Sequence, residues 1–171
     1  MTARWFALGC LVAVQASAGL ICDARLDAGG NVIIQDAAGN KTQLTEDGGN
    51  LEPQLAADGM AVAWRRSFET IDLENDHGEL SALHLYDGRF RIFHCGPVLR
   101  DFWFVGDGTQ IGLDCGGLHF AGIEQLIDRA HLTVLAIIDQ SITPSGERPS
   151  WADAASASRA PATCPSVKTL N

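Results

Sequence analysis

The densest set of reactive side chains lies between residues 69 and 79: Glu69, Asp72, Glu74, Asp76, His77 and Glu79. Oxygen donors two residues apart suit a hard divalent cation such as calcium. Counted from Asp72, the sixth position is His77 and the twelfth is Leu83, where a helix–loop–helix calcium site requires Gly and Glu. That site is therefore excluded. Asp72, Glu74 and Asp76 remain as a loosely held cation site on an otherwise solvated acidic loop, and no other cofactor is indicated. The histidines His77, His84, His94, His119 and His131 contain no i, i+4 pair of the kind that holds zinc on a helix. No Gly-x-Ser-x-Gly elbow presents a nucleophile. Gly106-Asp107-Gly108-Thr109 has the chemistry of a hairpin turn rather than a phosphate cradle. His119 follows Gly116-Gly117, where the backbone is free to approach a ligand. Trp64, Phe102, Trp103 and Phe104 offer faces on which a sugar could stack; strand alternation turns Phe102 and Phe104 inward and Trp103 to the other side.

Composition bounds what can position these groups. The 171 residues suffice for one domain with a tail, and 46% hydrophobic against 19% charged residues exclude wholesale disorder. Twenty-one Asp and Glu against 12 Lys and Arg give a net charge of −9, which argues against nucleic acid or an anionic membrane as partner. No apolar run reaches the roughly 20 residues of a bilayer span. Residues 1–18 read as a secretory signal: Arg4, an apolar run over 5–14, and Ala16-Ser17-Ala18 before Gly19. The expected location is periplasmic or secreted. Cys10 leaves with the signal. Cys22, Cys95, Cys115 and Cys164 remain, an even number in an oxidising compartment and without a Cys-x-x-Cys pair, which points to disulfides.

The elements are strands. Apolar runs at 31–35, 41–45, 61–65, 81–86, 89–94, 101–105, 110–114 and 132–139 are separated by turn sequences such as Asp58-Gly59, Asp87-Gly88 and Asp107-Gly108. Residues 122–129 fit helix or strand periods and are read as a strand. Displaced by 49 residues, the chain matches itself: Gly39 falls on Gly88, Leu44 on Phe93, Leu55 on Phe104, Asp58-Gly59 on Asp107-Gly108, and Val62 on Ile111. That period suits a four-stranded blade. Residues 140–171, with Pro144, Pro149, Pro161 and Pro165, read as an irregular tail that Trp151 is placed to dock.

Leu44-Thr45, Pro53, Asp58-Gly59 and Val62-Ala63-Trp64 occupy the places of the repeat of TolB-type, WD-repeat-like β-propellers, which the chain resembles over residues 31–139. Ala56-Ala57 depart from the Ser-Pro of that repeat, and the second copy keeps only Asp107-Gly108 and its apolar flanks. The resemblance implies propeller-like antiparallel blades and a role in binding proteins or small ligands, without implying an enzyme. About two and a half blades are expected between residues 19 and 139. They either form an open sheet or sandwich or close by oligomerisation, for which a homodimer supplies about five blades.

In such blades the connections at 46–52, 66–80, 95–100 and 115–122 share one end. Cys95 and Cys115 then end strands of neighbouring blades at that end and are expected to pair, leaving Cys22 with Cys164. The same end carries Arg100 and Asp101 at the blade junction, with Trp103 and His119 as further ligand candidates. The expected function is an exported, non-catalytic binding module. The alternatives are a small exported hydrolase using the acidic loop and His119, and a structural remnant of a larger propeller.

Overall fold

An aspartate at the head of a tight turn accepts hydrogen bonds from the amides that follow it and so turns one strand into the next. The chain uses this device repeatedly. Asp27 takes the amides of Gly29 and Asn31, and Asp36 those of Ala38 and Asn40. Asp58 takes that of Met60, Asp107 of Thr109, Asp128 of His131 and Asp139 of Ser141. Bonds from Asn31, Asn40, Thr109, His131 and Ser141 are the leading causes that hold the carboxyls of Asp27, Asp36, Asp107, Asp128 and Asp139 below their usual range. Much of the acidic excess is thus turn chemistry.

A computed structural model describes residues 20–73, 76–96, 98–116 and 121–152, with backbone alone at 68–73 and 76–80. These residues are all-β and form three antiparallel sheets, each strung in chain order. The first holds β1 (Ile21–Leu26), β2 (Val32–Asp36) and β3 (Lys41–Gln43). The second holds β4 (Asn50–Leu55), β5 (Val62–Leu73), β6 (Asp76–Tyr86) and β7 (Phe90–Phe93). The third holds β8 (Val98–Val105), β9 (Gln110–Gly116), β10 (Ile123–Asp128) and β11 (Val134–Asp139). Two 3-10 turns follow, at Ser145–Glu147 and Ser150–Ala152. Among the described residues no helix is long and apolar enough to cross a membrane.

The middle sheet is covered on both faces. Val62 and Trp64 on one face pack with Ile21, Val32 and Ile34 of the first sheet. Ala61, Ala63, Leu83 and Leu85 form the other face and pack against Phe102, Phe104, Ile111 and Leu113 of the third. Small alanines opposite large phenylalanines let the two sheets close up at interior density. Strand alternation therefore places Phe102 and Phe104 in the core, as expected, and turns Trp103 outward.

Polar cross-links tie the first and second sheets together. Trp64 is fully buried, and its indole donates to Asn50 Oδ1 at 2.9 Å. The Asn50 amide donates in turn to Thr45 Oγ1 at 3.0 Å and to the carbonyls of Gly30 and Gly48. Thr45 Oγ1 also accepts the Val32 amide at 2.9 Å. Such a network stabilises only because each member has a partner.

The 49-residue offset lands on equivalent turns. Gly39 and Gly88 join the last two strands of the first and second sheets, with φ of 89° and 91°. Gly59 and Gly108 join the first two strands of the second and third sheets, also at positive φ. That left-handed region is one that glycine enters without the Cβ clash.

Three expectations are corrected. The stretch 66–80 is a paired extension of β5 and β6, in which Asp72 faces His77 and Leu73 faces Asp76 across a narrow hairpin, and no open acidic loop is formed. Its Ile71-Asp72-Leu73 alternation already carries a strand period. The first sheet has a third strand, β1, whose Ala24 and Leu26 alternate with Asp23 and Arg25. The connection expected at 46–52 ends early, because β4 begins at Asn50. The stretch 122–129 is strand β10, as read.

Candidate functional site

Antiparallel order sends the β3–β4, β5–β6, β7–β8 and β9–β10 connections to one end of the stack, opposite the Asp-Gly turns. At the junction of the second and third sheets, β8 is an edge strand, so its inner main-chain groups need partners. Side chains of the second sheet supply them. Ser81 Oγ accepts the Leu99 amide at 2.8 Å and donates to the Leu99 carbonyl at 3.0 Å. Arg65 Nη1 donates to the Arg100 carbonyl at 2.8 Å, and Gln54 Nε2 to the Phe102 carbonyl at 2.8 Å. An edge satisfied in this way is closed to further strands.

The register shifts between Leu99 and Asp101, which re-aims the Arg100 side chain. Its guanidinium donates to Asp114 Oδ1 through Nε at 3.1 Å and Nη2 at 2.6 Å, and Nη2 donates to Gln140 Oε1 at 2.6 Å. Gln140 Nε2 donates to Asp114 Oδ1 and to Glu124 Oε1, both at 3.0 Å, and Arg148 Nη1 donates to Glu124 Oε1 at 2.9 Å. Two guanidiniums and two carboxylates balance in charge around one amide. Glu124 is 4% exposed, and such burial is tolerable for a carboxylate so partnered.

Two glycines make room for Arg100. A Cβ on Gly122 would collide with the Cys115 carbonyl and stand 2.6 Å from Arg100 Nη2; one on Gly116 would meet the Gly122 Cα at 2.8 Å. Beside them the Cys95–Cys115 disulfide bridges the second and third sheets, with Cα atoms 5.8 Å apart, as the blade register leads one to expect. The disulfide, Gly96, Gly122, Ile123, Asp139 and Ser141 line a cavity of about 320 Å³. That is near the lower size of small-ligand sites and takes one side chain or a small polar molecule.

The sequence-derived candidates fall in different places. Arg100 lies in the network beside the cavity. Asp101 is half-buried at the same junction, and its Oδ1 accepts the Phe102 amide at 2.7 Å. Trp103 is 3% exposed on the outer face of the third sheet, where its indole donates to the Trp151 carbonyl at 2.7 Å. That placement gives Trp103 packing and docking work and leaves no ring face for a ligand. The segment after β11 thus docks at Trp151, as expected, though through its main chain. His119, Glu74 and Cys164 lie outside the described residues, and Asp72 and Asp76 are described in backbone alone. Cys22 is buried on β1. Among the described residues no three His, Cys, Asp or Glu side chains converge to hold a metal ion.

Sequence reasoning missed Asp114, Glu124, Gln140 and Arg148. Asp114 and Glu124 oppose each other across β9 and β10. A two-strand register would have paired them, but Gln140 and Arg148 join only through the fold of the segment beyond β11. Comparison with protein-family models and with curated proteins returned no match to this chain.

Proposed function

We propose that the protein is an exported, non-catalytic binding module built from propeller-like blades of the TolB type, and that it contacts its partner at the long-connection end around Arg100. One observation carries this reading: the 49-residue offset takes Asp58-Gly59 onto Asp107-Gly108, equivalent turns of two sheets stacked face to face. Blades of a propeller repeat in this manner. The Cys95–Cys115 disulfide supports an oxidising location outside the cytoplasm. Charge balance around Arg100 favours recognition by hydrogen bonds over transfer of a proton, since each ionised group there already has a counter-charge. The ligand is a protein side chain or a small polar molecule that fills the cavity beside the disulfide.

The test places a photo-crosslinking residue at Ser141, on the cavity wall, and a second at Arg89, in an Asp-Gly turn at the opposite end. In cells that export the chain, a discrete adduct from position 141 and none from position 89 is expected. Equal labelling from both ends, or none from 141, would overturn the assignment of the surface.

A further inference from the structure

The faces of the three-sheet stack are dressed at both ends. The outer face of the first sheet is mostly polar, with Asp23, Arg25, Gln35, Lys41 and Gln43 around a half-buried Ile33. That of the third sheet carries Trp103 under the segment that contains Trp151 and Ala152. Assembly by stacking further sheets face to face is therefore disfavoured, and what remains is edges. The inner edge of β8 is satisfied by Ser81, Arg65 and Gln54. The outer edges β3, β7 and β11 differ in chemistry. β3 is three residues long and contains Lys41; β7 is four residues long and follows the exposed Arg89, although it also exposes Phe90 and Ile92. Short edges and cationic edge residues are devices that keep strands from pairing with other chains. β11 has neither: it runs Val-Leu-Ala-Ile-Ile before Asp139, and Val134, Leu135 and Ile137 are exposed, Ile137 by 60%.

We propose that β11 is the seam of a two-fold dimer, in which it pairs antiparallel with β11 of a second copy about an axis through Ile137. The inner hydrogen bonds set the phase. Gln140 donates its amide to Gly122, so even-numbered residues on the regular stretch 136–140 turn their main chain toward β10. The amide and carbonyl of Ile137 point the other way, and a two-fold axis there joins them to those of the second copy. The same register sets Ala136 against Ile138. The pairing stops short of Leu135, where β11 bulges, and of Asp139, whose carbonyl already accepts the Thr143 amide, so no carboxylate meets its own copy. That separation is needed for a chain of net charge −9, whose copies repel one another elsewhere. The register skips Leu135 between Val134 and Ala136, so β11 itself carries a bulge there, which limits the seam at that side. A second copy fits this strip better than a charged partner does, because the strip is self-complementary and carries no charge of its own before Asp139.

The full chain is sized by light scattering, as native protein and as Ile137→Lys. Ile137 is exposed, so the lysine leaves the melting temperature within a few degrees, while it places two like charges at the seam. The native chain is expected at twice the 18.2 kDa of one copy, falling to one copy in Ile137→Lys and staying double in Lys41→Glu on β3. As a second reading, Ile137→Cys is expected to form a disulfide-linked dimer on oxidation; this decides the matter should the lysine variant fail to fold. A native mass of one copy, a dimer that persists in folded Ile137→Lys, or an Ile137→Cys chain that never cross-links overturns the proposal. Failure of the seam leaves the partner surface around Arg100 untouched: a Ser141 adduct with the mass of two copies reads the seam, and an adduct of any other mass reads that surface.

Discussion

Arg129 grips Asp58 across 71 residues of chain, Nη1 to Oδ1 at 3.0 Å and Nη2 to Oδ2 at 2.7 Å, while Nη1 also donates to the Gly108 carbonyl at 2.7 Å. One guanidinium at the end of β10 thus locks together the two Asp-Gly turns that the internal repeat superposes. Burial pulls the Asp58 carboxyl up, but the bonds from Arg129 and the Met60 amide and the Arg129 charge outweigh it and hold it below its usual range. Both side chains are mostly shielded, so the pair is of the stronger, charge-assisted kind.

Asp58→Ala removes both bonds to the carboxylate and strands part of the guanidinium. The expected loss is about 2 kcal/mol, in the range of hydrogen bonds to charged groups. Denaturant midpoints of Asp58→Ala, Arg129→Ala and the double variant give the coupling directly. Strictly additive losses would remove the clamp from the account. Because the Asp58 carboxyl is depressed, its contribution is present above the unfolded pKa near 3.8 and fades as pH falls below it.

His84 sits 9% exposed beside the Trp64 ring, and burial, followed by the charges of Arg66 and His94, pushes its imidazole from 6.5 down to about 4; Asp47 opposes this only in part. The folded state therefore holds the neutral ring where the unfolded chain would bind a proton. Stability from this group is full above pH 6.5 and drains as pH falls toward 4, by about 2–3 kcal/mol. His84→Leu is expected to lack that part of the pH dependence between 6.5 and 4. Identical slopes in both chains would rule out the buried neutral histidine.

Gly112 lies under Trp103, and a Cβ there would fall inside the indole. Gly112→Ala is expected to cost about 1–3 kcal/mol as an overpacked core. It is also expected to loosen the docked segment, read as faster proteolysis between residues 140 and 152. Trp103→Phe loses the bond to the Trp151 carbonyl and part of the packed ring, for about 1–3 kcal/mol. Unchanged proteolysis in Gly112→Ala would separate Trp103 from the docking.

The Cys95–Cys115 bridge spans 20 residues of sequence. Loop-closure entropy for a ring of that size corresponds to about 3 kcal/mol. Cys95→Ala is expected to lose that amount and to leave Cys115 as a thiol that reacts only after unfolding, since it is fully buried. A Cys115 that remains oxidised in Cys95→Ala would show that another pairing competes.

The strands, their turns and the period of the stack were legible because each depends on residues close in sequence. Asp-Gly pairs specify turns through their own amides, and alternation specifies which of Phe102, Trp103 and Phe104 faces the core. The blade register placed Cys95 against Cys115, since it needed only strand order and direction. β1 and the long β5–β6 hairpin carry the same alternation, but interrupted by Asp23 in the one and by Glu69, Asp72, Asp76 and Glu79 in the other. Only the tertiary structure decided the rest. The clamp of Arg129 on Asp58, the Arg100–Asp114–Gln140–Glu124–Arg148 network and the cover on Trp103 join groups tens of residues apart. Each was selected by the desolvation of a charge or an indole, which has no periodicity along the chain. Local chemistry set the strands; burial of polar groups set their neighbours.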